Sequence, residues 1–157
     1  NLLLEMGKYD AAKQAFERCL KTTMDSNLSQ EIKENAKLIL HYNLTRVALG
    51  KKDLATAKTE SQEFRKGAEA SKNPAQLKQA HELAGLIALE EKSADQAITE
   101  LQQTNLQNPQ NLYRLAQAYQ AKGDATKAKE FWAKAAGFNS LPQLNYAIIR
   151  NKAAKQT

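Results

Sequence analysis

The feature that most constrains the fold is a pair of short amphipathic helices on either side of one tight turn. The first helix carries apolar residues at the i, i+3, i+4 and i+7 spacing of a single helix face: Leu112, Leu115, Ala116 and Tyr119. Gly123 tolerates the backbone conformation that ends a helix, and Asp124 can cap the next one. The period then resumes with Ala128, Phe131, Trp132 and Ala135. Such a hairpin cannot bury both of its apolar faces alone, so it needs stacked neighbours.

The same spacing recurs along the chain. In residues 1–20 the positions of Gly123, Ala125, Ala128 and Trp132 are taken by Gly7, Tyr9, Ala12 and Phe16. In residues 77–109 they are taken by Lys92, Ala94, Ala97 and Leu101, and Asn108-Pro109 closes that copy. A further copy lies between residues 31 and 67, with helices over 38–49 and 54–64. Its linker, residues 50–54, is longer than the turn at Gly123, so the register of its first helix is left open by one position, and its second helix is expected to extend to Asn73-Pro74.

These spacings resemble the tetratricopeptide repeat family over nearly the whole chain. The resemblance implies an all-α fold, a right-handed α-solenoid of stacked antiparallel helix–turn–helix repeats. We expect a single domain over residues 1–157, with a partial repeat at 1–24 and further repeats at 31–73, 75–108 and 109–137. Lys92 in place of the turn glycine and Ser61 in place of a large apolar residue are departures from the family pattern.

A last helix over 140–155 is expected to cap the final repeat. Ser140 is a suitable N-cap, and Pro142 is tolerated in a first helical turn. The apolar stripe expected to cover the repeat is Leu141, Leu144, Ala147 and Ile148. This tail resembles the ends of some bacterial repeat proteins.

The net charge of +6 is concentrated near the C-terminus. Residues 111–157 carry eight Lys and Arg against two Asp and Glu. A basic end can favour nucleic acid, but cations in a final helix also complement the helix dipole, and this structural role is favoured over a nucleic-acid partner. The longest apolar runs, such as Leu2–Leu4, are too short to span a membrane.

Few residues offer chemistry. His41 and His81 lack metal ligands at helical spacing, and Cys19 falls where the repeat places a small buried residue. There is no nucleophile elbow or phosphate-binding glycine loop. We therefore predict a protein that is not an enzyme and that has no metal site and no cofactor.

The remaining hypothesis is that the chain acts through a binding surface. The resemblance implies that the first helix of each repeat lines a concave groove for a peptide or partner protein. The groove residues expected on this basis are Gln79, Glu82, Tyr113, Arg114, Gln117 and Gln120. A negative Glu82 would repel the terminal carboxylate of a heat-shock chaperone.

One alternative is self-assembly or docking within a larger protein. The chain opens inside a helix, as a piece of a longer protein would, and the Leu2–Leu4 edge could associate. The sequence does not indicate a compartment.

Overall fold

The structure, a computed structural model, describes residues 2–139 and 144–157. The described helices are α1 (Leu2–Glu5), α2 (Tyr9–Met24), α3 (Gln30–Gly50), α4 (Leu54–Ser71), α5 (Pro74–Glu90), α6 (Ala94–Leu101), α7 (Pro109–Lys122), α8 (Ala125–Ala136) and α9 (Leu144–Ala154). The predicted all-α class of repeated helical hairpins is confirmed. Packing divides the chain into two compact units, Leu3–Leu83 and Ala84–Thr157, with the boundary inside α5. Each unit is described by itself, and a single domain over 1–157 stays a prediction.

The hairpin turns share one backbone feature, a residue in the left-handed region. Gly7 and Gly123 have φ angles of 72° and 88°. Lys52 and Lys92 stand at the equivalent turn positions, with φ angles of 63° and 60°. A residue with a Cβ adopts this conformation at a cost that glycine avoids. The packing of the two helices therefore imposes the turn even where the residue is lysine.

The longer linker predicted for the second hairpin turn is wrong. Lys52, and not Gly50, has the left-handed backbone, and Asp53 follows it as Asp124 follows Gly123. The linker therefore has the ordinary length. Gly50 is the last residue of α3, where an added Cβ would overlap the ring of Tyr9. A small residue is required there because α2 and α3 approach closely, and not because the chain turns.

Several helices begin at residues whose side chains cap them, and the cap at Asp124 was predicted from the sequence. The carboxylates of Asp53 and Asp124 each accept the backbone N–H three residues later, both at 3.0 Å. Asn108 caps α7, and Pro109 stands in its first turn. The extended α4 ends at Ser71, immediately before Lys72 and the predicted stop at Asn73-Pro74. Side-chain caps thus mark the starts of α4, α7 and α8.

In the first unit, small residues let the helices approach. Ala12 of α2 and Ala57 of α4 stand at equivalent places after the turn, and both are fully buried. A second group of buried side chains joins α4 to the first half of α5: Phe64, Ala68, Ala80 and Leu83. The prediction that the alanine after each turn packs in the core is confirmed at Ala12.

The predicted burial of Cys19, in the same unit, is wrong. It was expected to be buried, but it is exposed on α2. The helices α2 and α3 are antiparallel and pack tightly where Tyr9 meets Gly50. At the other end, where Cys19 lies, the first turns of α3 are themselves exposed over residues 30–32 and 34–35. The repeat position predicted burial, but no helix covers α2 closely at that level.

The second unit has the larger described core. Its buried residues include Ala97, Leu101, Leu115, Ala128 and Trp132. Gly85 allows the end of α5 to approach α6, since a Cβ there would lie 2.6 Å from Leu101 Cγ. The burial of Ala97 and Ala128 confirms the predicted register of the last two hairpins.

The last helix packs against both α7 and α8, but not through the predicted stripe. The buried residues of α9 are Ile149 and Ala153. Leu144 is 65% exposed, and Ile148 is only partly buried. The inward side is therefore rotated about half a turn from the predicted side. Three residues of the capping prediction, Ser140, Leu141 and Pro142, lie outside the described residues.

None of the helices in the described ranges combines the length and the apolar character needed to cross a membrane.

Candidate functional site

One face of α7 in the second unit carries three of the predicted groove residues. Tyr113, Gln117 and Gln120 recur at i, i+4 and i+7 and therefore share one side of the helix. Gln117 and Gln120 are exposed, while Tyr113 is half-buried against the unit's core. The opposite side of α7 packs inward through Leu115 and its neighbours. The structure thus brings these three residues together in a single polar stripe with one aromatic anchor, which we call the α7 stripe.

Arg114 stands beside the α7 stripe and is partly held in place. Its Nη1 donates to Oδ1 of Asn111 at 3.3 Å, and the Asn111 amide in turn donates to the Asn105 carbonyl at 3.2 Å. Asn111 is almost fully buried. A buried amide that orients the guanidinium lowers the entropy that Arg114 would lose on meeting a ligand.

The other two predicted groove residues lie in the first unit, on α5. Gln79 is half-buried. Glu82 is only 4% exposed, and its Oε1 accepts a hydrogen bond from the Tyr42 hydroxyl at 2.8 Å. The carboxylate is thus fixed by a neighbouring repeat. Glu82 therefore has a structural role in the packing of α3 and α5, and little of its side chain is accessible to a ligand.

Sequence reasoning missed two residues of this region, Tyr42 and Arg46. With Lys52 as the turn residue, they occupy in α3 the places that Tyr113 and Gln117 occupy in α7. Tyr42 packs on Phe64 with ring centroids 5.5 Å apart, and the Arg46 guanidinium lies 5.4 Å from the Tyr42 ring centroid. The turn motif Lys52-Asp53, read as equivalent to Gly123-Asp124, could have revealed them.

The residues considered for chemistry do not form a metal centre. His41 Nδ1 and Glu60 Oε2 are 2.6 Å apart, and both side chains are partly exposed. Within the described part of the chain, no group of three or more His, Cys, Asp or Glu is placed to hold a metal ion.

Many cations of the basic last third are engaged with groups of the protein. Lys122 Nζ lies 2.6 Å from Asp95 Oδ1, and this hydrogen bond raises the pKa of Lys122 above its ordinary value. Lys134 pairs with Glu130 at 2.5 Å, and Arg150 donates to the Phe138 carbonyl at 3.0 Å. The Lys122–Asp95 pair brings a carboxylate from outside residues 111–157 against the basic third and so weakens its positive field.

Comparison with known proteins agrees with the geometry. Residues 1–23 and 109–140 match the tetratricopeptide repeat. These two segments contain the hairpin turns at Gly7 and Gly123. No curated protein and no solved structure gave a significant match. Tetratricopeptide repeats generally mediate protein–protein interactions, and the family is one of non-catalytic interaction scaffolds. The repeated hairpins, their left-handed turns and these two matched segments together support a tetratricopeptide repeat protein.

Proposed function

We propose that the chain is a non-catalytic scaffold that holds a peptide or a helix of a partner protein against the first helices of its repeats. The observation that carries this proposal is the α7 stripe. It combines a half-buried tyrosine, which contributes contact area, with two exposed glutamines that can both donate and accept hydrogen bonds. An extended peptide offers the matching backbone N–H and C=O groups.

The fixed geometry of α7 supports binding without a large ordering cost. The helix begins at a capped Asn108, ends at the left-handed Gly123, and has its inner side in the core. Because the first helix is already ordered, most of the entropy lost on binding comes from the ligand. In the first unit, Tyr42 occupies in α3 the place of Tyr113, with the Arg46 guanidinium over its ring, so a second contact surface at this face of α3 is part of the proposal.

A random-peptide library displayed on phage tests the proposal, with the purified chain as bait. We expect selected peptides to lose about tenfold or more in affinity on Tyr113→Ala, which removes an aromatic anchor. Gln117→Ala alone should also weaken the binding of these peptides. Its melting temperature should change little because Gln117 is exposed.

Gln107→Ala is the matched control, because Gln107 is exposed in the same unit but outside α7. Peptides that bind Tyr113→Ala and Gln117→Ala as tightly as the wild type would place the ligand elsewhere and contradict the proposal.

A further inference from the structure

The two first helices of the second unit differ in the chemistry of their outward sides. Counted back from the turn residue of each hairpin, Leu86 and Leu89 of α5 stand where Gln117 and Gln120 stand in α7. Both leucines are half-buried and both glutamines are exposed, and all four residues lie within the second unit. We call Leu86 and Leu89 the leucine row, and Gln117 and Gln120 the glutamine row.

The two rows belong to helices that share one core. Ala88 of α5 is buried in the same cluster as Leu112 and Leu115 of α7. Leu89 and Tyr113, which are both half-buried, pack against that cluster. Helices that pack together have axes about 8–10 Å apart. The second unit therefore places an apolar row beside a row of hydrogen-bonding amides.

Charged side chains flank the two rows. Glu90 follows Leu86 by one helical turn and is exposed beside the leucine row, and Arg114 follows Tyr113 beside the glutamine row. A ligand carboxylate on the leucine row would be repelled by the charge of Glu90. Any charged ligand group there would also lose hydration against an apolar surface. The two rows therefore suit a ligand segment that carries no charge.

We propose that the second unit binds an extended, uncharged segment of its partner, which lies across α5 and α7. Apolar side chains of the segment contact the leucine row and Tyr113. Backbone N–H and C=O groups of the segment bond to the side-chain amides of the glutamine row. The proposal rests on the proposed function of the α7 stripe, and it adds the chemistry and the conformation of the ligand.

The extended conformation follows from the groups that the glutamine row can recognise. Each glutamine side chain carries a C=O acceptor and two N–H donors. A helical ligand already uses its backbone groups within the helix, whereas an extended ligand presents them to its surroundings. An extended chain advances about 3.3 Å per residue, so about three residues span the distance of about 8–10 Å between the helix axes. One short segment therefore reaches both rows.

Parallel selections from a library of short, linear random peptides test the apolar half of the contact. One bait is the wild-type chain, and the other carries Leu86→Gln with Leu89→Gln, which turns the leucine row into a copy of the glutamine row. We expect the peptides selected on the wild type to be enriched in Leu, Ile, Val and Phe and depleted of Asp and Glu. These peptides should bind the variant about tenfold more weakly, because apolar contacts are lost at two positions.

The reciprocal variant is Gln117→Leu with Gln120→Leu, which makes α7 a copy of α5. Both sites are exposed, so this variant keeps the test decisive if the leucine substitutions unfold the chain. Peptides selected on the wild type should bind it about tenfold more weakly, because their backbone loses its hydrogen-bond partners. Leu106→Gln, at an exposed leucine outside α5 and α7, is the matched control and should leave the affinity unchanged. Melting curves show which variants are folded.

Esters in place of single backbone amides of a selected peptide test the recognition of its backbone. Each ester removes one N–H donor and leaves the side chains unchanged. At one or more positions the ester should weaken binding to the wild type about two- to tenfold. In Gln117→Ala with Gln120→Ala that loss should disappear, because the acceptor of the hydrogen bond is already absent. The same peptide stapled into a helix should bind more weakly than its linear form.

The outcomes separate this proposal from the one on which it rests. Peptides that depend on Tyr113 and Gln117, but are rich in charged residues or ignore the loss of both leucines, would overturn the ligand chemistry alone. Esters that weaken binding equally with and without the glutamine row, or a stapled helix that binds more tightly, would overturn the extended conformation. Peptides that are insensitive to Tyr113→Ala, or a library that yields none, would contradict both proposals.

Discussion

The left-handed turn residues carry a cost that differs between the repeats. Gly7 and Gly123 adopt positive φ without a Cβ, whereas Lys52 and Lys92 bring a side chain into the same backbone conformation. For a residue with a Cβ this conformation lowers the free energy of unfolding by about 1–2 kcal/mol. Glycine avoids this cost, but the larger conformational freedom of its unfolded chain lowers the free energy of unfolding by up to about 1 kcal/mol. The net difference favours glycine.

Lys92→Gly should therefore stabilise the protein by about 0.5–1 kcal/mol. The side chain of Lys92 is exposed, so few packing contacts are lost with it. Urea unfolding monitored by circular dichroism measures the change. An unaltered or lower unfolding free energy would show that the lysine side chain contributes more than its backbone costs.

The reciprocal substitution is Gly123→Ala at the equivalent turn. A Cβ at Gly123 meets no atom within 4 Å, so the only new cost is that of the backbone at φ 88°. We expect a loss of about 1 kcal/mol. If both substitutions changed stability in the same direction, the equivalence of the two turns would be contradicted.

At the scale of the helix, the caps after these turns differ in strength. Asp53 accepts hydrogen bonds from both the backbone N–H and the hydroxyl of Thr56, at 3.0 Å and 2.6 Å. Ser93 stands at the same place before α6 but makes no capping bond with its side chain. The α4 start is thus held by an ionised side chain, and the α6 start is not.

Asp53→Ala should lower the melting temperature near neutral pH, and the effect should disappear in acid. The hydrogen bonds from the Thr56 hydroxyl and then from its backbone N–H hold the pKa of Asp53 below its ordinary value. The unfolded chain therefore binds this proton more tightly than the folded one. The stabilisation is complete above a carboxyl pKa of about 4 and is lost as pH falls through the lower folded value.

Melting temperatures of wild type and variant, measured by circular dichroism from neutral pH to strong acid, give the check. The gap between the two should close only below about pH 4. Ser93→Ala is the control and should show no such gap. A gap for Asp53→Ala that persists in acid would mean that the charge of the cap is not responsible.

The elements that sequence predicted well are those with two independent signals. Ala97 and Ala128 follow both the helical period and the spacing from the turn, and both are buried. The second hairpin had a misleading signal, since Gly50 is required by the Tyr9 ring and the turn itself uses Lys52. That shift hid Tyr42 and Arg46, because a lysine in a left-handed turn is a weaker signal in the sequence than a glycine.

The errors at Cys19 and Leu144 have a different origin. Both residues follow the apolar period of their helices, and period alone cannot say which neighbour covers a given turn. Cys19 lies where α2 and α3 are both exposed, and α9 packs through the side opposite to Leu144. Burial at the ends of a repeat array depends on tertiary contacts that a repeat pattern does not encode.

At the scale of the whole molecule, the same contact between neighbouring repeats recurs in both units. Lys51, near the end of α3, pairs with Asp10 near the start of α2 in the first unit. Lys122, at the end of α7, pairs with Asp95 near the start of α6 in the second. Exposed pairs of this kind contribute little each. Most of the stability of such an array comes from the hairpins and from the apolar interfaces between nearest neighbours.

The interface at the end of the second unit tests this nearest-neighbour description. Ile149 is buried where α9 meets the last hairpin, so Ile149→Ala should cost about 2–5 kcal/mol. Amide hydrogen exchange should lose protection in α7 and α8, the helices on which α9 packs. Ile148→Ala is the matched control, because the adjacent isoleucine is only partly buried, and it should cost much less. Equal losses from the two substitutions, or protection in α7 and α8 that survives Ile149→Ala, would mean that α9 does not stabilise the repeat it covers.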